Sequence, residues 1–545
     1  MRSDVIKVYK DVHTWVGIIS GLALFIAFYA GAITMFEAPL QQWSSPPSKF
    51  ESFTPLDRTA ELIDKVTARY PEAATGYQIV LEPTTEYPAR MNWRVQVAEA
   101  HDHDPPTYRH ADLSADGQLI VGDSGASPVS QLIDDLHRQI GLPFEHEIAM
   151  PIMGIIALLY GVALISGVIV LFPTLIKDLF AFRQTHNLKR MWLDFHNLLG
   201  LFSLPFHIIM AVTAVVFAFH DQFYDAQSAL VYRGENSFTV PQRSIPAPVN
   251  DSASTIDSSQ DQFLPPAQIV ARLTEQAPGF TPNLMTYQIA SGRGPMLRVF
   301  GNDPKYGMRS PTGGVVGVDP YTGEAVATDY MPGMQGPLGA TLTSFFTLHF
   351  GSFGGAPVRW SYFILGLTGA LLFYSGNLLW VETRRKKIRR NSAVSEVSQS
   401  RSTEILGALT VGVSLGCVAG ISLTIAAAKL LPLWSLDGAS WHPLIYYVVF
   451  LAAVAWALIR GAARGSVDLL AAAACATMMI PVVSLVSLVV PQVGWNYPDT
   501  SILVDVAALF ATVALFLVGR RTAKRIKRAP SDSIWYAAEL SHTAV

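Results

Sequence analysis

The chain has 545 residues, of which 50% are hydrophobic and 15% charged, and its formal net charge is −3. This composition is typical of a membrane protein and excludes an ordinary soluble domain. The runs of Lys and Arg are explained as topology signals, so nucleic acid is not an expected partner. The two cysteines occur in no CxxC or CxxCH motif, which excludes a disulfide framework, an iron–sulfur cluster and covalently attached haem.

Eight apolar runs predict eight membrane-spanning helices, because a helix of about 20 residues crosses the hydrocarbon layer. The first run lacks a small-residue cleavage site and is expected to remain in the protein. Lys and Arg cluster in alternate loops, so the positive-inside rule predicts cytoplasmic termini and two long external segments. The predicted spans are residues 14–36, 149–172, 197–219, 358–380, 404–431, 443–459, 466–490 and 500–519.

This pattern predicts an α-helical polytopic membrane protein with two external α+β domains. Each external segment begins with a helix-like stretch and continues with the apolar–polar alternation of antiparallel strands. Asp116-Gly117 and Thr322-Gly323 lie where hairpin turns are expected. The predicted divisions are span one (1–38), external domain one (39–148), spans two and three (149–220), external domain two (221–357), span four with its basic end (358–390), a linker (391–403), a module of four spans (404–519) and a cytoplasmic tail (520–545).

An internal repeat relates the first four spans. His13 and His196 each begin a His-x-x-x-Gly pattern in spans one and three, and His137 and His349 each follow a leucine just before spans two and four. Two copies packed about a pseudo-twofold axis would bring His13 towards His196 near one membrane surface and His137 towards His349 near the other. Spans two and four also share a Ser-Gly pair, Ser166-Gly167 and Ser375-Gly376.

A second histidine in span three, His207, follows His196 by eleven residues. In a straight helix this spacing is three turns plus roughly 20°, so both rings would leave one face about 16 Å apart along the axis. Ionisable side chains in hydrocarbon are costly and typically functional. Two imidazoles on one face predict two non-covalent b-type haems, and iron with two imidazole ligands is suited to electron transfer. Small residues near the histidines could admit flat macrocycles or simply pack helices closely: Gly17, Gly21, Gly31 and Gly200.

Five histidines are therefore candidate axial ligands, although two haems with two ligands each need only four. They are His13, His137, His196, His207 and His349. His13 and His196 form the predicted inner pair. For the outer haem, the repeat favours His349 with His137, whereas stacking on span three favours His349 with His207, and the sequence leaves both open.

Several phrases give the first 390 residues a family resemblance. HTWVGIISG, WLDFHNLLGLFSLPFHI and LHFGSFGGAPVRW, together with the order of spans and external domains, resemble the PepSY-associated transmembrane proteins, also called iron-regulated membrane proteins. The resemblance covers about residues 5–388. One departure is that relatives often carry a further histidine just after the Ser-Gly of span two, where this chain reads VIVLFP.

The resemblance implies a bacterial inner-membrane location and two PepSY-like periplasmic domains. It also implies that the axial haem ligands come from these five histidines, one of which is surplus. Some members of the family are di-haem reductases that release iron from ferric siderophores, and the expected activity is therefore ferric-siderophore reduction. The expected acceptor is a ferric siderophore or other ferric chelate, docked on periplasmic residues such as Tyr306, Arg309 and Tyr321. No nicotinamide or flavin fingerprint is present, so the expected donor is another protein or a membrane quinol.

The last four spans lie outside this resemblance and contain four charged residues. Lys429 and Asp468 fall near span ends, where snorkelling to water is expected. Asp505 lies further inside span eight, and none of these groups belongs to a proton-relay series along the sequence. The four charged residues of these last spans are Lys429, Asp437, Asp468 and Asp505.

Two other functional classes remain compatible with the sequence. In the first, the PepSY-like domains bind peptides or proteases and the histidines only pack. In the second, the last four spans transport iron or its chelate. A haem spectrum separates electron transfer from the first class, and chelate uptake by haem-free variants would indicate the second.

Overall fold

The computed structural model describes residues 3–95, 107–174, 188–230, 263–289, 295–308, 313–391, 399–490 and 501–537. These residues form two compact units. The helical unit lies within residues 1–46, 127–218 and 360–545, and the sheet unit lies within residues 47–126 and 219–359. Most of the predicted linker at 391–403 falls outside the described residues.

The described helices are numbered in chain order, and short 3₁₀ turns are left without labels. They are α1 (Ser3–Thr34), α2 (Glu37–Ser44), α3 (Thr59–Arg69), α4 (Val129–Arg138), α5 (His146–Leu171), α6 (Leu188–Phe202), α7 (Leu204–Ala218), α8 (His220–Leu230), α9 (Pro266–Gln276), α10 (Pro337–Phe350), α11 (Gly355–Asn391), α12 (Arg401–Ala428), α13 (Gly438–Val489) and α14 (Ser501–Arg528).

Within the described part of the chain, six helices are long and apolar enough to cross a membrane. A seventh span results if α6 and α7 are counted as one bent span. The chain is therefore a multi-pass membrane protein, as the sequence predicts, and the predicted number of eight spans is confirmed in part.

The predicted third span is broken rather than straight. Its two halves, α6 and α7, meet at Ser203 with a bend of 69°. Pro205 lies two residues after Ser203, and a proline has no backbone N–H with which to continue the helical hydrogen bonding. Because His196 lies on α6 and His207 on α7, the prediction that both rings leave one face of a straight helix is wrong.

Helix α13 is 52 residues long and contains a break at Gly461, where φ is 74° and ψ is 165°. A continuous helix of this length would extend about 78 Å, far beyond a hydrocarbon layer of about 30 Å. The left-handed backbone at Gly461 suits glycine because it has no Cβ atom. The break lies between the predicted spans 443–459 and 466–490.

The two segments of α13 run in opposite directions along α12. In the segment before Gly461, Val454 lies against Gly412 of α12 and Tyr446 lies against Gly420, so the order is antiparallel. In the segment after Gly461, inter-helix hydrogen bonds join Ser422 to Thr477 and Lys429 to Ser484, so the order is parallel. Helix α13 is therefore a helical hairpin that turns at Gly461.

Lys429 follows α12 directly and is completely buried, with 0% exposure. The expectation that it reaches water from a span end is therefore wrong. Its ammonium nitrogen lies 4.0 Å from the centre of the Trp43 ring and 3.3 Å from the Ser484 hydroxyl oxygen. The surrounding helices hold this charge inside the protein rather than at a surface.

The sheet unit contains one antiparallel sheet of eight described strands in the order β4-β3-β2-β1-β5-β6-β7-β8. The first external segment supplies α3 and β1–β4, and the second supplies α9 and β5–β8, so each has the predicted helix and strands. Gly117 and Gly323, both with positive φ, lie in the predicted hairpin turns. The strands are β1 (Gly76–Val80), β2 (Met91–Val95), β3 (Thr107–Leu113), β4 (Leu119–Gly122), β5 (Thr281–Gln288), β6 (Met296–Asn302), β7 (Gly314–Val318) and β8 (Ala325–Ala327).

One face of this sheet forms the core of the unit. Alternate strand residues such as Met91, Trp93 and Val299 pack with Leu62 of α3 and Ile269 of α9, and all five are fully buried. Strands β1 and β5 pair antiparallel across the middle, so the two external segments form one continuous sheet rather than two separate sheets.

His110 of β3 lies on the opposite face and is 3% exposed. The rings of Phe50 and Tyr87 cover it, with centroids 6.5 and 6.3 Å away. Burial lowers the pKa of His110 from 6.5 to about 4, although Asp123 acts in the opposite direction. The folded sheet therefore binds a proton at His110 more weakly than the unfolded chain does.

We predict that the stability of the sheet unit falls as the pH drops from 6.5 towards 4, because protonation of His110 favours the unfolded chain. The full stabilisation is present above pH 6.5, and the loss reaches up to about 3 kcal/mol near pH 4. Hydrogen exchange of peptides covering β3, corrected for the intrinsic rate, measures this loss. His110→Phe should flatten the profile, and an unchanged profile in that variant would contradict the assignment.

Candidate functional site

The ring of His13 packs on Gly167 of α5. A Cβ atom at Gly167 would lie 2.9 Å from the His13 Cε1 atom, so only glycine leaves space for the ring. The His13 Nδ1 atom lies 2.8 Å from the carbonyl oxygen of Ala163, four residues before Gly167. A side chain at the residue four positions after Ala163 would cover this carbonyl oxygen. Glycine at that position leaves the oxygen open to a second hydrogen-bond donor besides the backbone N–H of its own helix.

His196 repeats this arrangement on α11. Its Nδ1 atom lies 3.2 Å from the carbonyl oxygen of Leu372, and its ring packs on Gly376, again four residues later. The Ser375 hydroxyl donates to the same carbonyl and also lies 3.2 Å from His196 Nδ1. In α5 the hydroxyl of Ser166, which precedes Gly167, donates to the carbonyl of Ala163 in the same way.

His137 on α4 has the same arrangement against α1. Its Nδ1 atom lies 2.8 Å from the carbonyl oxygen of Ala27, and a Cβ atom at Gly31 would lie 2.6 Å from that nitrogen. We call this arrangement a glycine seat: an imidazole packed on a glycine and bonded to the carbonyl four residues earlier. His13, His137 and His196 each occupy one.

A glycine seat fixes the tautomer of its histidine. A carbonyl oxygen can only accept, so Nδ1 must carry the hydrogen and donate it. The Nε2 atom is then left with a lone pair, which is the state that binds a metal ion. Histidine ligands typically donate their other N–H to a carbonyl or carboxylate in this manner, which orients the ring.

The structure brings His13 and His196 together, as the repeat predicts. Their ring centroids lie 6.1 Å apart and their planes are inclined by 69°. Since each Nδ1 atom is bonded to its own carbonyl, the Nε2 atoms are the nitrogens that remain for a shared ligand.

His207 is completely buried and has a different partner. Its Nδ1 atom is hydrogen bonded to the Tyr160 hydroxyl, which can donate or accept. Its Nε2 atom has no hydrogen-bond partner among the described residues, and such a buried polar atom costs about 1–3 kcal/mol unless a ligand satisfies it. Four aromatic rings surround the imidazole, with centroids 5.4 to 6.3 Å away: Phe28, Tyr160, Phe206 and Phe373.

His349, the fifth candidate, belongs to α10 of the sheet unit and is half-buried. Its neighbour Leu348 lines a cavity of about 380 Å³ in that unit. The cavity is also lined by Tyr306 and by Thr343 and Thr347 of α10. Of the other predicted docking residues, Tyr321 packs on Phe263, and Arg309 falls outside the described residues.

Sequence reasoning identified the histidines and the Ser-Gly pairs but not their relation. Of the glycines singled out, Gly31 seats His137, whereas a Cβ atom at Gly17 would meet nothing within 4 Å. The missed signal is a glycine on one helix opposite a histidine on another helix, with a carbonyl group four residues before the glycine. A comparison of the two copies of the repeat could have found it. Tyr160 was missed because no pattern in the sequence connects it to His207.

We predict that Gly167→Val displaces the His13 ring and lowers binding of added haem, because the new side chain occupies the seat. Gly161→Val in the same helix is the matched control, since a Cβ atom there meets nothing within 4 Å. Gly31→Val and Gly17→Val form the equivalent pair for His137 on α1. Optical titration of the purified variants with haem measures the effect. Equal binding by both members of each pair would contradict the role of the seats.

Comparison with known protein families places this chain in one of them. Residues 11–383 match the model of the PepSY-associated TM region, which is more than half of the chain. The chain therefore belongs to the PepSY-associated TM region family. A search of curated proteins found no match.

Proposed function

We propose that this member of the PepSY-associated TM region family is a di-haem b-type electron-transfer protein of the bacterial inner membrane. It passes electrons to a periplasmic ferric siderophore or other ferric chelate, and its donor is another protein or a membrane quinol. The observation that carries the proposal is the pair His13 and His196, each packed on a glycine and bonded to a carbonyl oxygen, with ring centroids 6.1 Å apart.

The donor set of this pair fits a haem. Two imidazoles with Nδ1 engaged and Nε2 available match what two axial ligands of one iron require. A metal–nitrogen bond of about 2 Å on each side is compatible with the observed ring separation. No group of three or more His, Cys, Asp or Glu side chains forms a metal site in the described residues, so a porphyrin with two histidines is favoured over a bare ion.

His207 supports a second haem through its unsatisfied Nε2 atom. Two ligand pairs stay open for the second iron, His349 with His207 and His349 with His137. The pair with His137 is supported by its glycine seat, in which the Ala27 carbonyl fixes the hydrogen on Nδ1 and orients the ring. His349 belongs to both pairs, and its neighbour Leu348 lines the cavity of the sheet unit, where an acceptor could dock.

When bound by two imidazoles, haem iron changes between Fe(III) and Fe(II) without an open coordination position. The residues of the chain orient the ligands, keep water away from them through buried aromatic side chains, and present a periplasmic docking face. Reduction of the acceptor favours its release of iron, because Fe(II) is less strongly held by oxygen donors than Fe(III).

We predict two haems b per chain in protein purified with ample haem supply, with split α/β bands on dithionite reduction. His196→Ala should remove one haem and leave much of the other, because it breaks only the inner pair. Pyridine-haemochrome quantitation measures the stoichiometry. His220→Ala is the control, since His220 begins α8 and is exposed beside Asp221.

Full stoichiometry in His196→Ala would show that the ligand assignment is wrong. A colourless wild-type protein would defeat the electron-transfer function and leave a binding or regulatory role of the PepSY type. Stopped-flow oxidation of the reduced protein by a ferric chelate tests the acceptor, and uptake of the chelate by haem-free variants would indicate a transporter.

A further inference from the structure

The four helical segments after residue 400, which lie beyond the family match, contain a buried row of polar side chains. It runs along the contact between α12 and the second segment of α13. Each member is polar, yet its residue is at most 6% exposed. The members are Thr410, Ser414, Ser422, Lys429, Ser466, Thr477 and Ser484.

A constant register produces this row. Ser422 pairs with Thr477, and Lys429 pairs with Ser484, each across 55 residues of sequence. The same register places Ser466 beside residues 410 and 411 of α12, at the other end of the contact. From residue 410 to residue 429 the row extends about 28 Å, close to the hydrocarbon thickness of about 30 Å.

One end of the row is a connected set of acid and base. The Lys429 ammonium donates to the Ser484 hydroxyl at 3.3 Å, and that hydroxyl donates to the Asp505 carboxylate at 3.0 Å. The Trp43 indole N–H also donates to Asp505, at 3.2 Å, and the Trp43 ring covers the ammonium. Lys429 is thus faced by Asp505 from α14, Ser484 from α13 and Trp43 from α2.

Packing alone does not account for this set. Hydroxyls such as those of Thr410 and Thr477 donate to the carbonyl four residues earlier, which is the ordinary behaviour of threonine in a membrane helix. A completely buried lysine linked through a serine to a half-buried aspartate is, in contrast, expensive to desolvate. Hydrophobic residues of similar size often stabilise such a position as well or better. Ionisable groups at such positions mark ion or proton pathways.

We propose that this row is a proton path and that Lys429 and Asp505 are its proton-exchanging pair. In the exchange step the Lys429 N–H bond breaks as the Ser484 oxygen accepts the proton, and Ser484 passes its own hydrogen to Asp505. The products are a neutral amine and a neutral carboxylic acid, so no net charge is created in the low-dielectric interior. The Ser422–Thr477 pair lies about 10 Å from Lys429 along the helix axis, and Ser414, whose hydroxyl has no partner in the described residues, lies about 12 Å beyond it. In the proposed path, water molecules bridge these intervals.

This function is independent of the haem proposal and adds an activity to it. Outward movement of electrons alone would charge the membrane, and protons moving with them would limit that charge. The activity nevertheless needs no haem to be measured.

The test uses full-length protein in phosphatidylethanolamine–phosphatidylglycerol vesicles that contain a pH-sensitive dye. A valinomycin-induced potassium diffusion potential, negative inside, drives protons inwards. Wild-type vesicles should acidify faster than empty vesicles. Lys429→Met/Asp505→Asn should lower the protein-dependent rate roughly tenfold or more, as expected when an acid–base group is removed from a proton transfer. This double variant leaves no unpaired buried charge.

Ser422→Ala/Thr477→Val is the second variant, because it removes the middle of the row with little change in volume. Asp468→Asn is the control, since Asp468 forms a partly exposed pair with Arg460 away from the row. The control should keep the wild-type rate. Wild-type rates equal to those of empty vesicles, or an unchanged rate in either double variant, would overturn the proposal.

Discussion

A helix carbonyl inside a membrane already accepts one hydrogen bond, and it can accept another only where no side chain covers it. Glycine four residues later removes that cover. In this protein the rule recurs at Ala163, Leu372 and Ala27, each facing a histidine of another helix. The rest of the candidate site depends on this sharing, because it orients each imidazole and leaves the opposite nitrogen available.

Breaks in the helices are the second organising feature. The bend at Ser203 separates the surroundings of His196 from those of His207, so the two imidazoles have different partners. The turn at Gly461 folds α13 back on itself and places its two segments on α12 in opposite directions. Both breaks occur near residues that weaken helical continuity: Pro205, two residues after Ser203, and Gly461.

Much of the site could be predicted from residue types. The sequence pattern identified His13, His137, His196 and His349 as candidates, and the predicted proximity of His13 to His196 agrees with their ring separation of 6.1 Å. The straight-helix argument for His207 was wrong, since a spacing of eleven residues gives a common face only if the axis does not bend. Tyr160, 47 residues from His207, could not be found by any local pattern.

The sequence by itself determined the membrane character, the approximate spans, the helix and strands of each external segment and the family. These follow from local hydropathy, periodicity and turn residues, which short stretches of chain contain completely. Only the tertiary structure decided which carbonyl each histidine meets, that the external strands form one continuous sheet, and that scattered hydroxyls align with Lys429 into one buried row. Those features depend on the register between distant helices and strands, and register is set by packing across the whole unit rather than by neighbouring residues.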